Sequence, residues 1–186
     1  VPVGVGAMAA LLGLDFDAAS EVAAEAAGSE VCHAANDNDP GQVVVSGNTA
    51  AVERAVEIAK LKGAKRAIIL PVSAPFHCAL MAPAAEAMKE ALADVSIRAP
   101  KVPLVANVCA EAVSDPEVIR KLLIEQITAS VRWRESVLWM SGKGVSEVWE
   151  IGAGKALSSM VRRINRDITC RNVAQPDDIN SIIQSL

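Results

Sequence analysis

Short apolar segments of strand length alternate with alanine-rich segments of helical length in the N-terminal part of the chain, and this alternation constrains the fold more than any other feature. The strand candidates are residues 6–14, 31–36, 42–46 and 67–72, and the helix candidates are residues 15–27 and 49–62. Each helix candidate starts beside an Asp or Asn that can cap it and ends at a glycine. The pattern therefore predicts elements in the order β-α-β-β-α-β.

This order is that of the ferredoxin-like (βαββαβ) unit, and we predict such a small domain over residues 1–72. Residues 73–186 alternate differently, with strand candidates at 102–107, 145–151 and 170–174 and helix candidates at 78–93, 116–129, 133–142, 155–164 and 176–184. Such alternation favours an α/β fold with a parallel sheet covered by helices. Because three short strands make an incomplete sheet, we expect an exposed apolar face in this second domain.

Composition narrows the class of protein. With 52% hydrophobic and 22% charged residues the chain can bury a core, and a net charge of −4 provides no basic field for nucleic acid. The cysteines are too dispersed for a zinc site or a disulfide scaffold, so we predict no metal and four free thiols: Cys32, Cys78, Cys109 and Cys170. The absence of a leader-like or long apolar run predicts a cytoplasmic protein with no membrane partner.

A histidine lies between a predicted strand and a predicted helix. Residues 71–81 read Pro-Val-Ser-Ala-Pro-Phe-His-Cys-Ala-Leu-Met, which places His77 on a loop between two rigid elements. A general base is commonly found in such a place, and a buried or capping histidine is the alternative. The second histidine, His33, lies on a predicted strand away from any motif, and we assign it a structural role.

Further segments accompany the histidine segment in a fixed order. They are residues 6–14, 36–47, 105–108 and 150–155, together with Gln126, seven residues before Trp133. In this order the segments resemble those of the malonyl-CoA:acyl carrier protein transacylase family, which loads malonyl units for fatty acid synthesis. The resemblance covers the whole chain. It implies that residues 73–186 are the C-terminal part of a large α/β-hydrolase-like subdomain.

The resemblance also implies a mechanism and its substrates. In the family a serine attacks the malonyl thioester of coenzyme A, and a histidine takes the serine proton and later activates the phosphopantetheine thiol of acyl carrier protein. His77 matches that histidine. Gln126 matches the residue whose backbone carbonyl orients the imidazole, so its side chain is not required. No cofactor is implied, because the coenzyme A thioester and the carrier-protein phosphopantetheine are substrates.

The nucleophile motif of the family, Gly-His-Ser-Leu-Gly, is absent, and no Gly-x-Ser-x-Gly occurs in the 186 residues. The glutamine of the oxyanion hole and the arginine that pairs with the malonyl carboxylate are also absent. The resemblance implies that all three precede this chain, in a segment of the same or another chain. We therefore expect these residues to carry the base without the nucleophile and to be inactive alone.

Substrate-binding candidates have two interpretations each. Phe76 either narrows the acyl pocket against an extra methyl group or only packs. Asn38 and Gln42 either form the hairpin turn or contact the acyl or pantetheine chain. Ser73 and Asn107 are helix-cap or cleft residues.

Two charged or glycine-rich segments are weaker candidates. Gly152-Ala153-Gly154-Lys155 lacks the spacing of a phosphate-binding loop and is better explained as a tight strand-to-helix turn. A basic cluster could steer an acidic carrier protein or could simply complement a helix end; its members are Lys60, Lys62, Lys65 and Arg66.

Two other functions remain open at this point. A non-catalytic ferredoxin-like ligand-binding or regulatory module would explain the first domain and the missing nucleophile, but not the His77 segment. A polyketide acyltransferase domain would share the chemistry, and flanking sequence would distinguish it.

Overall fold

The protein is a mixed α/β structure, and the computed structural model describes residues 1, 2 and 4–183. Eight strands and seven α-helices occur in the described part of the chain, with one short 3₁₀ turn at Ala79–Met81. In chain order they are β1 Gly6–Leu12, α1 Phe16–Ala27, β2 Cys32–Asp39, β3 Gln42–Asn48, α2 Thr49–Leu61, β4 Arg66–Ile69, α3 Ala82–Ala93, β5 Leu104–Ala106, β6 Glu111–Val113, α4 Pro116–Glu125, α5 Trp133–Gly142, β7 Glu147–Ile151, α6 Ala156–Ile164, β8 Thr169–Val173 and α7 Pro176–Ile183.

The first four strands form an antiparallel sheet in the order β2-β3-β1-β4, and the predicted element order β-α-β-β-α-β is present. Helices α1 and α2 contribute their small apolar residues to the same core, which also takes one face of the sheet. A smaller apolar cluster lies on the other face of the sheet; its buried members are Met8, Ala10, Ala35 and Val44. Alanine at most helix contact positions lets the helices pack closely on the strands.

The two helix starts in this region differ from each other. Asp15 caps α1 as predicted, since its Oδ1 accepts a hydrogen bond from the Ala18 amide at 2.9 Å. Asn48 does not cap α2 with its side chain. Instead its Oδ1 accepts from the Val31 amide at 2.9 Å, which joins the end of β3 to the start of β2.

Strand β2 is longer than predicted. It continues through the Asn and Asp residues to Asp39, and only Pro40 and Gly41 form the turn to β3. The pairing with β3 shifts register between Ala34 and Asn36 and again between Asp37 and Asp39. These irregularities accommodate turn-forming residues within a strand.

The expected parallel sheet of residues 73–186 is only partly present. Strand β5 pairs antiparallel with β6, a strand that the sequence did not predict, and the two are joined by a turn at Asn107–Ala110. Strands β7 and β8 form a separate parallel pair with Glu147 opposite Thr169. Val102, just before β5, is 72% exposed and Ile151, at the end of β7, is 78% exposed. The expected exposed apolar face of a sheet stays a prediction.

By internal contacts the chain comprises two compact units, residues 1–136 and residues 137–186. This division differs from the predicted domain boundary between residues 72 and 73, which stays a prediction. The last helix was predicted to reach Gln184, a residue outside the described part of the chain. None of the helices in the described ranges is long and apolar enough to cross a membrane.

Candidate active site

The loop that carries His77 is held by buried residues on both sides of the histidine. Pro75 and Cys78 are almost completely buried, and the Cys78 thiol donates to the Pro75 carbonyl at 3.2 Å. Gly6, at the start of β1, allows this packing, since a Cβ at that position would lie 2.3 Å from the Pro75 ring. Phe76 is 42% exposed and His77 is half-buried. The anchored neighbours therefore present the two central residues at the surface of residues 1–136.

His77 has a left-handed backbone conformation, with φ of +59°. A residue with a Cβ pays roughly 1–2 kcal/mol for this conformation, so the surrounding contacts must enforce it. Such conformations are concentrated at functional sites, where they aim a side chain that regular structure would direct elsewhere.

Two backbone carbonyls hold the imidazole of His77. Its Nδ1 lies 2.8 Å from the Gln126 carbonyl oxygen and 3.2 Å from the Ala129 carbonyl oxygen. Carbonyl oxygens only accept hydrogen bonds, so Nδ1 carries the hydrogen and donates it. In the neutral ring Nε2 is then an acceptor, which is the state that a general base requires. The predicted contact with the Gln126 carbonyl is present, and its catalytic role stays a prediction.

These carbonyls are available because they follow the end of α4. Gln126 is the C-terminal cap of α4, and its amide donates to the Leu122 carbonyl at 3.0 Å. The Ala129 amide donates to the Glu125 carbonyl at 3.1 Å in the turn that follows. The last carbonyls of a helix have no partner within the helix, so an external donor such as an imidazole can use them.

Asn107 and the β5–β6 turn support the same segment. The Asn107 side-chain amide donates to Gln126 Oε1 at 3.3 Å. The Arg132 amide donates to the Asn107 carbonyl at 3.2 Å, and the Arg132 guanidinium donates to the Val108 carbonyl at 3.2 Å. Asn107 therefore contacts the residue that holds His77, which distinguishes it from a simple cap.

His77 lines a groove of about 490 Å³ together with the second histidine, His33. The other described residues around it belong to α1, the start of β2 and the turn after α4. We had assigned His33 a structural role from the sequence. Its place in the His77 groove depends on the three-dimensional arrangement of β2, which the sequence pattern does not contain.

None of the five substrate-binding candidates lines this groove, Asn107 included. Asn38 is half-buried on β2 and Gln42 is half-buried at the start of β3, whereas Ser73 is exposed in the loop after β4. Phe76 directs much of its surface to solvent, so packing alone does not explain it. The structure therefore brings Gln126 to His77 and Asn107 to Gln126, and it leaves Asn38, Gln42, Ser73 and Phe76 outside the groove.

Cys32, the cysteine that lines the groove, is not an alternative nucleophile. Burial, with a further contribution from Cys78, raises the pKa of the Cys32 thiol from 9.0 to about 11. The reactive form of cysteine is the thiolate, so Cys32 is unreactive near neutral pH. In the described ranges no group of three or more His, Cys, Asp or Glu residues could hold a metal ion.

The glycine-rich turn before α6 has an internal anion in place of a phosphate. Glu150 accepts hydrogen bonds from the amides of Leu157 and Ser158 at 3.0 and 2.8 Å. Hydrogen bonds, above all that from the Ser158 side chain, lower the pKa of the Glu150 carboxyl. The donors at this helix N-terminus are thus satisfied by a carboxylate, in agreement with the interpretation of Gly152–Lys155 as a strand-to-helix turn.

Comparisons with known proteins agree on one family. The model of the acyl transferase domain family matches residues 2–173. The malonyl CoA-acyl carrier protein transacylase of Bacillus subtilis (strain 168) is 44% identical over 187 residues, which cover 100% of this chain and 59% of that protein.

Solved structures give the same result. The crystal structure of an acyl-carrier-protein-S-malonyltransferase from Bartonella henselae is 52% identical with a TM-score of 0.95, and the match covers 100% of this chain and 59% of that one. A malonyl-transacylase in complex with its type II PKS acyl-carrier protein is 36% identical with a TM-score of 0.96, over 100% of this chain and 60% of that one.

The chain spans 59% of the length of the Bacillus relative, and it matches that protein over residues on both sides of the predicted domain boundary. An isolated ferredoxin-like module would match only the first of the two predicted domains. With a family model that extends over residues 2–173, the chain belongs to the acyl transferase domain family.

Proposed function

We propose that these residues form the C-terminal part of a cytoplasmic enzyme that transfers malonyl from coenzyme A to the phosphopantetheine thiol of acyl carrier protein, in fatty acid biosynthesis. The observation that carries this proposal is the orientation of His77, whose Nδ1–H is held by the Gln126 and Ala129 carbonyls so that Nε2 is left to accept a proton. The names of the Bacillus and Bartonella relatives support the choice of acyl group and acceptor.

The proposal includes a division of the fold. Residues 1–72 would form the ferredoxin-like small subdomain, and residues 73–186 would be the C-terminal portion of a large α/β-hydrolase-like subdomain with a parallel sheet. The four-stranded order β2-β3-β1-β4 supports the first assignment. The parallel β7–β8 pair, with exposed Ile151 at its end, supports the second, since parallel strands are normally covered on both faces.

In the first half-reaction Nε2 of His77 removes the hydroxyl proton of a serine as the oxygen attacks the malonyl thioester carbonyl. The proton then passes to the sulfur of coenzyme A as the carbon–sulfur bond breaks, which leaves a malonyl-serine ester. In the second half-reaction Nε2 removes the proton of the phosphopantetheine thiol, whose sulfur attacks the ester, and the serine oxygen recovers a proton. The carbonyls of Gln126 and Ala129 accept from Nδ1–H throughout and stabilise each imidazolium intermediate.

Other candidates take supporting roles in this proposal. Phe76 would narrow the acyl pocket against methylmalonyl groups, a discrimination of about 1–3 kcal/mol for one methyl group. Asn107 would position Gln126 through the contact between their side chains. Asn38, Gln42 and Ser73 would contact the acyl or pantetheine chain.

Acyl carrier protein is the proposed macromolecular partner, supported by the complex of the related malonyl-transacylase with its carrier protein. The basic cluster near the end of α2 is a weak candidate for steering this acidic partner. Lys60 pairs with Glu57 at 2.7 Å, and Lys62 pairs with Glu25 at 2.8 Å. These ion pairs neutralise half of the cluster and reduce the field that it projects.

The test is a transfer assay with the full-length enzyme that contains these residues. We expect malonyl-CoA and the phosphopantetheine-bearing carrier protein to give malonyl-carrier protein, detected by intact mass, with methylmalonyl-CoA as the control donor. The 186-residue chain alone should acquire no malonyl adduct, because it has no serine in a Gly-x-Ser-x-Gly turn. A full-length enzyme without malonyl transfer, or a stoichiometric adduct on a serine of the isolated chain, would contradict the proposal.

A further inference from the structure

The segment that holds His77 is attached to the outer edge of the four-stranded sheet. The Val131 amide donates to the Ala35 carbonyl at 2.8 Å, and the Asp37 amide donates to the Val131 carbonyl at 2.9 Å. The Ser130 hydroxyl donates to the Ala34 carbonyl. Residues 130 and 131 thus occupy the hydrogen-bonding groups of the β2 edge, directly after Ala129, whose carbonyl contacts His77.

An ion pair between the buried Asp37 carboxylate and the partly exposed Arg134 guanidinium fixes the far end of this attachment. Asp37 is 1% exposed, and Arg134 Nε donates to its Oδ1 and Oδ2 at 3.0 and 2.9 Å. In a second contact, Arg134 Nη2 lies 2.9 Å from Asp37 Oδ2. Burial raises the pKa of the Asp37 carboxyl, while the hydrogen bonds from Arg134 act in the opposite direction. A buried carboxylate with such a guanidinium partner is rigid, because any displacement would leave a charge unpaired.

The Asp37–Arg134 pair holds the segment whose carbonyls bind His77, so it affects the histidine as well as the stability of the fold. The backbone amide of Asp37 binds the Val131 carbonyl, and its carboxylate binds the Arg134 side chain. Asp37 therefore binds residues 131–134 at two points. Between those points and α4 lie the two carbonyls that accept from Nδ1 of His77. A shift of residues 129–134 away from β2 would therefore move at least the Ala129 carbonyl and loosen the restraint on the imidazole.

We propose that the Asp37–Arg134 ion pair is a positioning device for the general base. It acts through the 126–131 segment, and neither residue contacts the reacting atoms. With the pair intact, the carbonyls keep the ring in the Nδ1–H tautomer with Nε2 unprotonated. Its catalytic consequence rests on the proposed function, whereas its effect on the ring can be measured without any turnover.

The experiment compares Arg134→Gln, Asp37→Asn and the milder Arg134→Lys with Glu30→Gln as the matched control. Glu30 pairs with Arg54 at 2.7 Å, and the other hydrogen bonds of the Arg54 guanidinium go to the Ala26 and Ala27 carbonyls at the end of α1. In the full-length enzyme we expect Arg134→Gln to lower kcat about 10- to 100-fold with KM changed less than about threefold, since misplacing a catalytic group acts on the chemical step. Glu30→Gln should change kcat less than about twofold.

The second readout is the ¹⁵N NMR spectrum of the histidine rings of the same variants, in which the signals that His77→Ala removes are assigned to His77. Wild type should show Nδ1 protonated and Nε2 unprotonated, and Arg134→Gln should add a population with the hydrogen on Nε2. Arg134→Lys retains a charge without the two-pronged contact and should lie between them. An unchanged tautomer in both Arg134 variants would overturn the proposal, and so would loss of activity in Glu30→Gln equal to that in Arg134→Gln. A wild-type enzyme without malonyl transfer but with the expected tautomer change would refute the proposed function alone.

Discussion

At the residue scale the main feature is the left-handed conformation of His77, which directs the imidazole towards carbonyls at the end of α4. Sequence and family resemblance were sufficient to identify His77 and the Gln126 carbonyl. They did not reveal the contact with the Ala129 carbonyl or the positive φ of His77, because neither requires a particular residue type. They also missed His33, whose place beside His77 depends on how β2 meets the turn after α4.

Relief of the backbone strain at residue 77 should raise the free energy of unfolding. We expect His77→Gly to be more stable than His77→Ala by about 1 kcal/mol, because glycine adopts positive φ without the Cβ penalty. Urea unfolding followed by circular dichroism gives the two free energies of unfolding. Ala87→Gly, on the exposed face of α3, serves as the control with the opposite sign and should lose about 1 kcal/mol. A His77→Gly variant less stable than His77→Ala would show that the conformation is not strained.

Burial of the Cys32 thiol predicts a loss of stability in alkaline solution. The pKa of Cys32 is raised from 9.0 to about 11, so its contribution is fully present below pH 9 and is lost as the pH rises through 11. We expect the free energy of unfolding of wild type to fall more steeply across this range than that of Cys32→Ala. The chain has no tyrosine, and its lysines titrate equally in both proteins, so the difference reports Cys32. Parallel curves for the two proteins would contradict the assignment.

At the element scale the periodic helices and the first four strands were predictable from sequence, whereas the strand ends and the β5–β6 hairpin were not. The Asn-rich end of β2 looks like a turn because Asn and Asp favour turns, but cross-strand pairing and two register shifts keep it extended. Strand β6 has only three residues, too few for a periodic signal. The turn that joins it to β5 contains Ala110 with a φ of +54°, a conformation that alanine rarely adopts and that its residue type does not predict.

Helix α6 should depend on the Glu150 carboxylate at its N-terminus. We expect Glu150→Ala to destabilise the first turn of α6 by about 1 kcal/mol, in line with the loss of a helix cap. Hydrogen exchange of the Leu157 and Ser158 amides should then accelerate about fivefold. Since the pKa of Glu150 is lowered, its contribution exists above the unfolded value of 4.5 and disappears as the pH falls through the folded value, so the two proteins should converge in acid.

The control for this prediction is Glu86→Ala, which removes an exposed carboxylate paired with Lys89 on α3. That change should leave the exchange of the α6 amides as in wild type. Equal exchange rates in wild type and Glu150→Ala would mean that the carboxylate does not cap α6.

At the scale of the whole molecule the candidate site depends on contacts between distant parts of residues 1–136. His77 meets residues 126 and 129, Arg132 meets the β5–β6 turn, and Arg134 meets Asp37 on β2. Local propensity contains no information about such long-range contacts, so sequence reasoning could supply some members of the site, such as His77 and Asn107, but not the contacts that hold them. The contact between His77 and the Gln126 carbonyl was the one long-range contact of the site that the family resemblance predicted.

The comparison of His77→Ala with Gln126→Ala in the full-length enzyme tests the assignment of the base most directly. The rate of malonyl transfer from malonyl-CoA to carrier protein should fall about 10²- to 10⁴-fold in His77→Ala, the range for loss of a general base. Gln126→Ala keeps the backbone carbonyl and removes only the contact with Asn107, so its rate should fall less than about tenfold. Equal losses in the two variants, or a His77→Ala enzyme with wild-type transfer, would contradict the role of His77 as a base oriented by a backbone carbonyl.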